Sequence, residues 1–162
     1  MATILSEGLK RVVAEESRKL HEISEAESAT RRAGGDGWSC KQELGHLLDS
    51  ATNNRARFTV AALEGRYTGA TYDGTGWADL GGYADTPWTE LLELWERVNF
   101  SLATLVEQIP DERLQAPCKI GDREPVTLEF LIDDYILHLQ HHLDHILARE
   151  HLTNYPGAAV GV

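Results

Sequence analysis

The segment Tyr135–Arg149 reads YILHLQHHLDHILAR and holds four of the protein's seven histidines, His138, His141, His142 and His145, within eight consecutive positions. Leucine and isoleucine recur between them, and neither glycine nor proline interrupts the run, so the pattern is that of a continuous helix. Each helical residue advances about 100°, so histidines four apart stand one turn apart on the same side. Two such pairs exist, His138 with His142 and His141 with His145. Neutral imidazole is a good ligand for zinc, nickel, copper or iron, and a preformed helix would fix the rings before a metal arrives. The interior position and the interleaved leucines exclude an expression tag. The plain alternative is a polar helix face.

Outward from this segment, the chain divides into four helical stretches, with no two-residue alternation long enough for a substantial sheet. The expected architecture is all-α, a four-helix bundle in a single domain over residues 1–152, with 153–162 as a loosely held tail. The first helix is expected over about residues 3–27, with Ile4, Leu9, Val12, Val13, Leu20 and Ile23 as its apolar positions. Gly34, Gly35 and Gly37 break the chain. Ser39 and Gln42 then have the form of a capping box opening a helix that runs to about Glu64. The third helix is expected from Pro87, at its first position, to Pro110, and the fourth from a Thr127 cap to about Glu150. Between these two, the connector holds Gly121-Asp122, the signature of a small hairpin. About twenty residues, GRYTGATYDGTGWADLGGYAD, separate the second helix from the third, which is longer than a tight turn needs and suits a crossover along the bundle. This loop carries Tyr67, Tyr72, Trp77 and Tyr83, as a segment covering a site or an apolar end would.

Fifteen Lys and Arg against twenty-six Asp and Glu leave a formal net charge of −11. A surface of that sign repels a phosphate backbone, so nucleic acid is not an expected partner. No stretch is long and apolar enough to span a bilayer, and MATILSEGLKRVV lacks a signal-type core, so no membrane is expected either. Cys40 and Cys118 are far apart and without a CxxC, which points to reduced thiols and a cytoplasmic location.

A metal site usually needs a third protein ligand, and His46, in WSCKQELGHLLDSA, lies at the edge of an apolar face formed by Leu44, Leu47, Leu48, Ala51 and Phe58. Gln42, Asp49, Ser50, Asn53 and Arg57 share its side. On the last helix, His138 and His142 sit closer to the side of Leu128, Ile132, Leu139, Leu143 and Ile146 than His141 and His145 do. The wheel alone therefore allows either pair to join His46. A carboxylate-bridged di-iron bundle needs two ExxH motifs, and only Glu43-x-x-His46 is present.

Trp38-Ser39-x-x-Gln42-x-x-x-His46-x-x-Asp49-Ser50, followed about ninety residues later by Tyr135-x-x-His138-x-x-His141-His142-x-x-His145-Ile146, resembles the DinB/YfiT-like superfamily of metal-binding four-helix bundles. The resemblance implies that His46, His141 and His145 hold about one divalent ion, nickel or zinc, leaving His138 and His142 to line the site. It also implies a metal-dependent hydrolase or a transferase that uses a low-molecular-weight thiol as co-substrate, acting on a small molecule. An open coordination position suits such chemistry. Asp49, one turn beyond His46, is the candidate base or orienting carboxylate, with Asp144 a weaker one. Arg55 and Arg57 are candidates to receive an anionic group. A non-catalytic metal-binding stress or accessory protein would carry the same ligands on the same fold. A homodimer is left open as the state of assembly.

Overall fold

The computed structural model describes residues 1–31, 37–150 and Tyr155. Four long helices, α1 (Ala2–Leu20), α3 (Cys40–Glu64), α5 (Trp88–Glu107) and α6 (Leu128–Ile146), form a bundle. Two short helices, α2 (Glu25–Ser28) and α4 (Gly74–Leu80), and three strands, β1 (Tyr67–Gly69), β2 (Pro117–Ile120) and β3 (Val126–Thr127), lie in the connections. Leu9, Leu44, Leu92, Trp95, Leu102, Tyr135 and Leu139 are fully buried in the common core. The expected bundle is therefore present. The loose tail expected over 153–162 lies outside the described residues except for Tyr155, and so does the break at Gly34 and Gly35.

Local chemistry explains the helix ends. At Ser39 the expected capping box is present, with its hydroxyl accepting from Gln42 N and the Gln42 side chain returning to Ser39 N. At the far end of α3, Gly65 closes the helix in the left-handed region at φ 73°, which glycine adopts without Cβ strain. Thr127 caps α6 by accepting from Phe130 N. The first stretch departs from expectation. It is two helices, because Ser24 and Glu27 form a second capping box that starts α2 anew after α1 ends at Leu20. Pro87 is the cap of α5 rather than its first helical residue, and α6 stops at Ile146, short of Glu150.

Contacts along the helices give their directions. Ser6 Oγ donates to the Ala103 carbonyl, and Trp88 Nε1 to the Leu20 carbonyl, so α1 and α5 run antiparallel. The Cys40 thiol lies by the Ile146 carbonyl and Phe58 packs on Tyr135, so α3 and α6 are antiparallel as well. Glu25 accepts from Trp88 N and pairs with Lys41. The first residues of α3 and α5 are thus neighbours, and these two helices are parallel. The connection from Gly65 to Pro87 must then return the length of α3, about 37 Å for 25 residues at about 1.5 Å each, which is the expected crossover. On the way it contributes β1, which pairs in parallel with β2, while β2 and β3 form the small hairpin of the second connector. The sheet and the short α4 are features of the crossover that hydropathy did not foreshadow, since three to seven residues are too few to show a period.

Candidate metal centre

Because α3 and α6 are antiparallel neighbours, His46 on α3 comes opposite the middle of α6. Its ring centroid lies 4.7 Å from that of His142 and 5.2 Å from that of His138, and the latter two are 4.5 Å apart. His46 Nε2 and His138 Nε2 approach to 3.3 Å. Two nitrogens bound to one tetrahedral cation at about 2.0–2.1 Å would stand roughly 3.3 Å apart, so the pair already has the separation that shared coordination requires. Each of the three rings offers a ligand nitrogen within 4.8 Å of the others, and all three residues are buried. Burial, reinforced by the neighbouring His142, pushes His46 down to about 3, and burial likewise holds His138 well below the ordinary imidazole value. Both rings are therefore neutral at physiological pH, the form that binds metal.

Glu43, one turn before His46, is 1% exposed and sits between two imidazoles. Its Oε1 accepts from His142 Nδ1 at 2.9 Å and from His145 Nδ1 at 2.7 Å. With Nδ1 committed to the carboxylate, His142 is left with Nε2 for the cluster, which is how a carboxylate orients a metal-binding histidine. Glu43, His142 and His145 also form a group of metal-ligating type. Their spacing is that of hydrogen bonds, however, and a carboxylate flanked by two N–H donors accounts for it. A carboxylate buried this deeply is favoured by positive charge nearby, and a cation one imidazole away would supply it. The donor set and its charge thus fit a divalent ion. Ser50 Oγ makes a long 3.5 Å contact with His138 Nδ1.

The crossover covers this strip of α3. The ring of Tyr83 packs against Gly45, where an added Cβ would lie only 2.0 Å from its Cδ2, and its hydroxyl donates to Asp49 Oδ1 at 2.6 Å. Asp49 Oδ2 is buried with no hydrogen-bond partner among the described residues. Burial raises the pKa of Asp49, while the Tyr83 hydrogen bond opposes the rise. At the start of α4, Gly74 packs on His46, so closely that an added Cβ would lie only 3.1 Å from Cε1 of the ring. Trp38 lies on another side of the ring, with centroids 5.1 Å apart. Further along, the Arg57 guanidinium lies 5.9 Å from the Tyr72 ring centre. On α6, one turn before His138, Asp134 is buried, and its pKa is pushed up to about 6 by desolvation, with Arg123 lowering it and Asp133 raising it. Tyr155 stands over His138, with ring centroids 5.5 Å apart.

Of the ligands expected from the resemblance, only His46 lies in the three-histidine cluster, and its companions there are His138 and His142 rather than His141 and His145. His145 belongs with Glu43, and the half-buried His141 packs on His145 and Tyr155. The physical reason is the rotation of α6. The face that carries Leu139, Leu143 and Ile146 is wholly buried, and His138 and His142 border it toward α3. Asp49 is beside the site, as expected. Asp144 is not. It is engaged with Arg149, which also binds Glu16 of α1. Arg55 is exposed and donates to Ser101, whereas Arg57 is buried. Glu43 and Tyr83 were not foreseen as site residues. The Glu43-x-x-His46 spacing was the signal for the first, and the aromatic residues of the long connection, Tyr83 among them, were the signal for the second.

Comparisons agree with this architecture. A Bacillus subtilis protein named "Putative metal-dependent hydrolase YfiT" is 27% identical over 111 residues, 68% of this chain and 62% of that protein. A Halalkalibacterium halodurans protein with the same descriptive name is 29% identical over 109 residues, 67% of this chain and 63% of that protein. The aligned chain thus spans less than two thirds of the length of these relatives. The solved structure of YfiT, described as having an unusual four-helix bundle topology, superposes with a TM-score of 0.77 at 25% identity, covering 91% of this chain and 84% of that one. A mycothiol-dependent maleylpyruvate isomerase shares the fold, with a TM-score of 0.71 at 15% identity over 88% of this chain and 60% of that one. The profile of the DinB superfamily matches residues 11–146, and the chain belongs to that superfamily.

Proposed function

We propose that this protein binds one divalent late first-row cation through His46, His138 and His142 and uses it in hydrolysis or thiol transfer on a small molecule. The observation that carries the reading is the convergence of three buried imidazoles on one point, with His46 Nε2 and His138 Nε2 3.3 Å apart. The descriptions of the relatives as metal-dependent hydrolases, and of a fold neighbour as thiol-dependent, support the class of chemistry. A cation held by three neutral imidazoles keeps coordination open and acts as a Lewis acid that lowers the pKa of a water or thiol. The chain's own residues supply the rest. Glu43 holds His142 in one tautomer and balances charge. Asp49, gripped by Tyr83 through Oδ1, keeps Oδ2 available to accept a proton one turn from His46. Tyr72, Tyr83 and the start of α4 limit access of bulk water to that face of α3.

The test is metal content and affinity in folded single variants, followed by a turnover screen with ester and thiol substrates. His46→Ala, His138→Ala and His142→Ala should each reduce zinc affinity by more than about 100-fold, and His141→Ala by less than about tenfold. Strong losses at His141 and His145 with little at His138 and His142 would return the ligand set to the one the family resemblance implies. Metal binding without turnover on any substrate would leave a non-catalytic metal-binding protein.

A further inference from the structure

Asp134 and His138 are four residues apart on α6, so their side chains stand one turn apart on the same side of the helix. Asp134 is 4% exposed, and its Oδ2 is buried with no hydrogen-bond partner among the described residues. Arg123 is exposed and acts on this carboxylate only through its longer-range field, making no hydrogen bond or ion pair with it among the described residues. Tyr155 links the two positions. Its ring packs against His138, and its hydroxyl feels the charge of Asp134 and the presence of Tyr72. Tyr72 in turn lies within the electrostatic reach of Asp49 and Arg57. Asp134, Tyr155, Tyr72 and Asp49 thus form a chain of polar groups within electrostatic reach of one another beside His138, and two of them, Asp49 and Asp134, each have a buried oxygen with no hydrogen-bond partner among the described residues.

We propose that Asp134 is a specificity residue that receives a primary ammonium group of the small molecule acted on at the histidine cluster. The inference rests on the metal-dependent reading above and names a feature of its substrate. An ionised carboxylate is an acceptor only, so what satisfies Asp134 Oδ2 must donate N–H or O–H, and the uncompensated charge favours a cationic donor over a neutral one. Aspartate in this place also disfavours a substrate with an anionic group at the same distance from the reacting atom. One helical turn, about 6 Å, separates the two residues along α6, so the nitrogen belongs on a short chain from the metal-directed atom.

The experiment is an amide-shift NMR titration of the zinc-loaded, isotopically labelled protein with three probes: 2-aminoethanethiol, 2-mercaptoethanol and ethylammonium chloride, the last with ethanol as its control. In the unaltered protein 2-aminoethanethiol should bind about tenfold or more tightly than 2-mercaptoethanol, the worth of one charge-assisted hydrogen bond. In Asp134→Asn, with zinc content and 2-mercaptoethanol affinity unchanged, the preference should fall below about twofold. Equal affinities in the unaltered protein overturn the proposal without any variant, and so does a preference that survives Asp134→Asn. If neither thiol binds, the thiol reading of the metal site fails separately, and ethylammonium still decides on Asp134. A saturable response around Asp134 that ethanol lacks sustains the role, and identical responses to the two end it.

Discussion

Glu43→Gln changes almost no volume and removes one negative charge from a side chain that is 1% exposed. In the unaltered protein Oε1 accepts two imidazole N–H groups, at 2.9 Å from His142 and 2.7 Å from His145. A glutamine carbonyl oxygen can still accept from both, so the geometry survives while two charge-assisted bonds become neutral ones. Bonds to a charged partner contribute about 1.5–3 kcal/mol and neutral ones about 1 kcal/mol, and the difference matters most when His142 is polarised by a bound cation. Zinc affinity should therefore fall by about 10–100-fold, or about 1.4–2.7 kcal/mol. The metal-free protein should respond differently. Relieved of a deeply buried carboxylate, it should unfold at an unchanged or higher urea concentration, because the cost of desolvating that charge is gone. The assays are competition for zinc with a chromophoric chelator and urea unfolding in excess chelator. An affinity within twofold of the unaltered protein would refute the orienting and charge-balancing role of Glu43. A loss of metal-free stability equal to the loss of affinity would show that Glu43 is structural only.

Three further outcomes are expected. In chelator, stability should fall with acid: His46, with a folded pKa of about 3, and His138, well below 6.5, stay neutral while their unfolded counterparts protonate. The unfolded state thus binds more protons below about pH 6.5, and each histidine should cost about 2 kcal/mol between pH 7 and 5; urea midpoints flat across that range would contradict their buried neutral state. Gly45→Ala should destabilise by about 1–3 kcal/mol and displace Tyr83, because the new methyl occupies the space of its ring; near-UV circular dichroism and urea unfolding read both effects, and an unperturbed variant would deny the close approach. Asp49→Asn should lower whatever turnover the screen detects by about 100-fold or more with zinc content unchanged, and Tyr83→Phe by less; equal rates in Asp49→Asn would make the carboxylate a bystander.

Local signals carried much of the architecture. The capping residues Ser39 and Thr127 and the long apolar stripes of α3, α5 and α6 are properties of neighbouring residues, legible without knowing what they pack against. The length of the second connection marked it as a crossover for the same reason. Ser24-x-x-Glu27, which splits the first helical stretch, was equally local and readable by the same rule. The three-residue strands were not, since their pairing joins two distant connectors.

The site divides along the same line. Two HxxxH pairs, one histidine on another helix and a carboxylate one turn from it are visible in the chain as written, and they suffice to direct attention to a metal. Each pair is one turn apart on one helix, and the helical wheel sets His138 and His142 nearer the apolar side without deciding between the pairs. Which pair meets His46 depends on the rotation of α6 about its own axis. That rotation is set by burying Leu139, Leu143 and Ile146 in the core, which carries His138 and His142 toward α3 and leaves His141 half-buried beside Tyr155. Glu43, Tyr83 and Asp134 likewise take their places only when helices distant in sequence pack together, because what each carboxylate or hydroxyl faces is a property of the assembled bundle and not of its own helix.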